Sequence, residues 1–148
     1  MDTDPLRSRS SHYVLNDPIV RFHRLVIEPA EARLTRPGRG AEVWEEAAPI
    51  VQSQIFGPHF EQLTREWALL DATEATMGGR VTVCGPSSVG TGGKRLQLDM
   101  VALAESTRGR THVCAVGEAK SGQAPTGPIE LDRLDMAVSM LPRESTLT

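Results

Sequence analysis

The chain has 148 residues, with 16 Lys and Arg against 19 Asp and Glu and a formal net charge of −3. That length fits one domain with one core, and the charge excludes an overall basic field that would draw the chain to nucleic acid. Hydrophobic residues at 39% and charged residues at 24% sit near the globular average, which excludes disordered, collagen-like and coiled-coil classes. Met1-Asp2-Thr3-Asp4-Pro5 has no basic n-region or apolar stretch, and no window approaches 18 apolar residues, so neither a secretion signal nor a membrane partner is expected. Cys84 and Cys114 form no CxxC pair and have no histidine array beside them, which predicts reduced thiols in a cytoplasmic protein.

Residues 1 to 11 are polar and without period, and are expected to be a disordered lead-in. Tyr13-Val14-Leu15 is a short extended piece. Asn16-Asp17-Pro18 combines an N-cap candidate with a proline at the first helical position, predicting a helix to about Ile27 that Glu28-Pro29 ends. Arg33 to Gly40 is a solvated basic loop. Helical composition returns from Ala41 to Ile55, with Pro49 expected to split or kink it. After Gly57-Pro58, the spacing of Phe60, Leu63, Trp67 and Leu70 predicts an amphipathic helix with those residues, Trp67 included, facing the core. Trp44 is likewise read as a packing residue.

Met77 to Cys84 reads as a strand, Gly85 to Gly93 as a turn-rich loop, Leu96 to Leu103 as a central strand, and His112 to Lys120 as its hairpin partner. Pro128 opens a last helix, with Leu131, Leu134, Val138 and Leu141 at helical spacing. Gly90 to Arg95 invites comparison with a phosphate-binding loop, but Ser88 and Arg95 stand where that motif needs Gly and Ser or Thr, so a mobile hairpin is expected. His12, His23, His59 and His112 are scattered and read as surface or rim residues, and the two cysteines as inert strand residues.

Chemistry concentrates where the last two strands meet. Glu118 and Lys120 share one face by the two-residue period, and a turn centred on Arg108 or just after it sets Asp99 opposite Gly117 or Glu118. Opposed carboxylates repel, and burial raises the cost, so either Lys120 or a divalent cation must compensate. Glu61, one step off the apolar stripe of the preceding helix, is the third carboxylate candidate, with Glu66 as its alternative. Oxygen-only ligands suit Mg²⁺ or Mn²⁺. The bland alternative for Asp99, Glu118 and Lys120 is a cross-strand salt bridge at a sheet edge, and for Glu61 a solvated helix face.

These residues resemble the PD-(D/E)XK nuclease superfamily, and more closely the C-terminal domain of prokaryotic AAA-class ATPases known as domain of unknown function 234. Tyr13 to His23 resembles that domain's Y-x-(hydrophobic)-x-D-P-x-x-x-F opening, and Gly57 to Glu66 its G-x-x-F-E-x-x-x-R-E helix. Leu98 to Ala102 resembles its I-D-x-V-A strand, and Gly117 to Lys120 its G-E-x-K strand. Gln97 stands where the family often has an acid. The resemblance implies an α/β, restriction-endonuclease-like mixed sheet flanked by helices, here without its last strand. Residues 1–40 would be a lead-in and linker helix behind an ATPase and winged-helix part that this chain lacks, and 41–148 the nuclease-like domain. Asp99, Glu118 and Lys120, with Glu61, would be catalytic, and Asp99, Glu118 and Glu61 would hold Mg²⁺ or Mn²⁺ against DNA. The alternative function is an inactive regulatory or interaction module that docks on an ATPase domain or chain.

Overall fold

Two helical stretches precede a three-stranded sheet in the computed structural model, which describes residues 2–6, 11–12, 15–91, 93–106, 109–122 and 127–141. The first stretch is α1 (Pro18–Phe22), a π-helical turn (His23–Ile27) and α2 (Glu28–Leu34). The second is α3 (Gly40–Val51), a π-helical turn (Gln52–Phe56) and α4 (Gly57–Leu70). The Asp17 carboxylate accepts from the Ile19 and Val20 amides, and Pro18 opens the helix, as the sequence predicts.

Neither Glu28-Pro29 nor Gly57-Pro58 ends its helix. Each proline is the second residue after a π turn, where the amide of Glu28 reaches back to His23 O and that of Gly57 to Gln52 O. A proline ring clashes with the carbonyl four residues earlier and offers it no donor, and widening the turn by one residue relieves both problems. Pro49 does not split its segment either, for α3 runs through it to Val51. Val43, Ala47, Val51 and Ile55 form one stripe that packs on Val26 and Ala30, and this burial outweighs the lost backbone bond. Arg33 and Glu46 pair at 2.7 Å across the two stretches.

The two-residue strands β1 (Asp2–Thr3) and β2 (Ser11–His12) precede the helices, and after the short helix α5 (Glu74–Met77) come strands β3 (Val81–Thr91), β4 (Lys94–Glu105) and β5 (Thr111–Gly117), in sheet order β3-β4-β5. The α/β class is as expected, but every strand pair among the described residues is antiparallel where a mixed sheet was expected. Gly85 to Thr91 is strand rather than loop, and Gly90 and Thr91 pair with Arg95 and Lys94. The turn-like Gly85-Pro86 is absorbed at a register shift between Gly85 and Ser87, where a residue without an N–H costs no ladder bond. Gly93, with φ 86°, closes the hairpin.

β4 is covered on both faces. Val101, Leu103, Leu98 and Val89 pack with Ala137, Leu134 and Leu141 of the last helix, α6 (Pro128–Ser139), and the turn after it. Met100 and Ala102 pack with Ala68 of α4 and Met77. Of the expected α6 stripe, Leu134 and Leu141 pack while Leu131 and Val138 are exposed.

The lead-in is not disordered where described. Asp2 and Thr3 pair with His12 and Ser11, Pro5 is buried, and the Ser87 hydroxyl donates to Asp4 at 2.6 Å. Tyr13, Val14, Gly92, Arg108 and residues 123–126 and 142–148 lie outside the described residues. Among the described residues no helix is long and apolar enough to cross a membrane.

Leu103 is fully enclosed, whereas Ile129 on α6 is 80% exposed. Urea denaturation is expected to show Leu103→Ala losing about 3 kcal/mol and Ile129→Ala changing stability by less than about 0.5 kcal/mol.

Candidate functional site

The β4–β5 register builds the site. Glu105, Ala104 and Leu103 pair with Thr111, His112 and Val113, a register that by itself would set Asp99 opposite Gly117. A shift between Leu103 and Ala102 moves the ladder by one residue, so that Ala102 meets Ala115 and Met100 meets Gly117. Asp99 and Glu118 are therefore the next positions beyond the last ladder pair. A Cβ at Gly117 would come within 2.9 Å of Met100 Cε, so a small residue suits this crowded last pair.

Past that pair, Ala119 N donates to Asp99 Oδ2 at 2.9 Å. Lys120 Nζ donates to Glu118 Oε1 at 2.7 Å, and Arg133 of α6 donates to the same oxygen at 2.9 Å and to the Gln97 carbonyl at 2.9 Å. From α4, the buried Arg65 donates to the Asp99 carbonyl at 2.9 Å and lies 3.9 Å from Glu61 Oε2. The Ser121 hydroxyl accepts from Gln52 at 2.9 Å, tying the second π turn to the stretch after β5. Two helices thus each send an arginine to the stretch of β4 just past its last pair with β5.

The structure brings together Asp99, Glu118 and Lys120, with Glu61 beside them. Burial pushes the Glu61 carboxyl above its ordinary range, and the charges of Asp99 and Glu118 push it further against the pull of Arg65 and Lys120. The Glu118 carboxylate holds the Lys120 ammonium above its ordinary value. Glu66, the alternative to Glu61, is exposed and accepts from Gln62 at 2.7 Å. Sequence reading missed Arg65 and Arg133 as site residues. Arg65 carries a signal, since it lies one helical turn past Glu61, whereas Arg133 on α6 carries none.

The donors are oxygens, which matches a hard divalent ion in kind. Their arrangement is another matter, for among the described residues no group of three or more His, Cys, Asp or Glu side chains is placed to hold a metal ion. Glu118 is neutralised by Lys120 and Arg133, and these cations must leave its Oε1 before that oxygen can serve a metal. Elsewhere, burial pushes the Cys84 thiol up to about 11 and raises that of Cys114, in keeping with inert thiols.

The expected core stripe of α4 is overturned. Phe60, Leu63, Trp67 and Leu70 are exposed, as is Trp44, and α4 turns Arg65 and Ala68 to the sheet instead. Periodicity reveals an apolar stripe but not what covers it.

No family model, no curated protein and no solved structure matches this chain.

Glu61 binds its proton more tightly folded than unfolded, so its ionisation lowers stability as pH rises through the interval from the ordinary Glu value to the raised one. Thermal unfolding of Glu61→Gln is expected to match the native chain near about pH 4 and to exceed it near about pH 7. Equal stability at both pH values would contradict the electrostatic picture of the site.

Proposed function

We propose that the chain is a nuclease-like domain with a restriction-endonuclease-like fold, of the kind attached to prokaryotic AAA-class ATPases, which hydrolyses phosphodiesters in DNA with Mg²⁺ or Mn²⁺ in the cytoplasm. The observation that carries this reading is the register shift that aligns Asp99 with Glu118 while Lys120 stays within reach of both. Asp99 and Glu118 would hold the ion, with Glu61 flanking them. A divalent ion held there would supply positive charge against the phosphate and lower the pKa of a water.

Three acids and three cations already balance in this cluster, so substrate and metal are expected to bind together. A phosphate draws Lys120 and Arg133 off Glu118 and frees its oxygen for the ion. Lys120 then faces the phosphate, where an ammonium orients the attacking water and stabilises developing charge. Arg65 holds β4 in place through the Asp99 carbonyl.

A catalytically inactive regulatory module that docks on an ATPase domain or chain is the second reading. It is favoured by the pairing of Glu118 with both Lys120 and Arg133, which satisfies the partly buried carboxylate without a metal.

The purified chain is expected to cleave single-stranded, double-stranded or branched DNA when Mg²⁺ or Mn²⁺ is added. Asp99→Ala and Lys120→Ala should each lower the rate by about 100-fold or more while keeping the native circular dichroism spectrum. Equal inertness of the native chain and both variants on every substrate would remove the nuclease reading and leave the module.

A further inference from the structure

Phe56, Phe60, Leu63, Trp67 and Leu70 are each between 42% and 80% exposed. Their spacing of four, three, four and three residues is the seam of a paired helix rather than the broader stripe of a helix packed on a sheet. At about 100° per residue the seam covers about 80° of α4, on a flank away from the sheet-facing Glu61, Arg65 and Ala68. Five large apolar side chains in one row exceed the scatter of single exposed residues expected on a monomer.

We propose that this row is a self-association surface, on which two copies of the chain pair α4 against α4, antiparallel, about a two-fold axis at Leu63. The row returns onto itself to within one residue under that operation. Phe56 meets Leu70, Leu63 meets Leu63, and Phe60 falls one residue, about 1.5 Å along the axis, from Trp67, so one patch serves both copies, as an isologous contact requires. Charge permits it as well. Between Phe56 and Leu70, Glu61 and Arg65 turn to the sheet, and the remaining charged residue, Glu66, comes beside His59 of the other copy rather than beside another acid.

Area sets the strength. With roughly 100 Å² exposed on each of the five side chains, a pair buries about 1,000 Å², the lower limit for a specific interface. That size places the pair among weak, transient interfaces, and the proposal stands whether or not the acid cluster is a nuclease.

Sedimentation of the whole chain from about 1 to about 200 μM is expected to follow a monomer–dimer equilibrium. Leu63→Glu and Trp67→Glu, each at an exposed position, should weaken it by about 30-fold or more, and Ile129→Glu on α6 should leave it unchanged. With a short bismaleimide, Leu63→Cys should cross-link copy to copy, while Phe56→Cys, whose two copies lie at opposite ends of the seam, should not. The raised thiol pKa values of Cys84 and Cys114 keep them protonated and slow toward the reagent near about pH 7. A native chain that stays monomeric throughout would overturn the proposal and hand the seam to a different protein. A dimer indifferent to both glutamates would overturn it too, as would cross-linking through Phe56→Cys.

Discussion

One displaced residue in the β4–β5 ladder decides what stands at its open end. Without the shift between Leu103 and Ala102, the symmetry of the hairpin would place Asp99 against the small Gly117 and send Glu118 past it. With the shift, a carboxylate of β4 and one just past the end of β5 become neighbours, beside a stretch of β4 from Met100 to Ala104 that is buried on both faces. The chain answers that repulsion three times over, with Lys120 from the extension of β5, Arg133 from α6 and Arg65 from α4. The helices on the two sides of the sheet are therefore joined through the acid pair as well as through the apolar core.

Because each helix supplies a cation to β4, the cluster behaves as a charge balance between layers. Arg133 and Arg65 also bond the Gln97 and Asp99 carbonyls. A guanidinium presents several donors in a fixed fork, so it can serve a carboxylate and a backbone oxygen together, which an ammonium does less well. In a chain with 14 arginines and 2 lysines, the one described lysine of the cluster is the group whose single charge can change partner without releasing the strand.

Much of this was legible in the residue order. The Asp17-Pro18 cap, the turn between β4 and β5, the two-faced burial of β4, the last helix and the grouping of Asp99, Glu118 and Lys120 all follow from local rules that the structure obeys. The failures share a cause. Pro29, Pro49 and Pro58 look like helix ends because a straight α-helix cannot take them, yet a π turn or a well-packed stripe can. Gly85-Pro86 looks like a turn because a regular strand cannot take it, yet a bulge can. The outward seam of α4 was misassigned because spacing specifies a face and not its partner. Arg133 was invisible because its role depends on how α6 crosses the sheet, a distance of 36 residues from Gln97 in sequence.

The wide turn at Gln52–Phe56 reaches beyond its proline. It holds one residue more than an α-helical path would need, and each residue in a helix advances the direction of every side chain after it by about 100°. The turn therefore sets the phase of α4. Shortening it by one residue would swing Glu61, Arg65 and Ala68 off the sheet and carry a different flank of the helix inward, with no change to the residues of either surface. Which side of α4 is the inside and which the outside is thus fixed by an indel-sized feature upstream, and a length change there would alter more of the molecule than most substitutions in the strands.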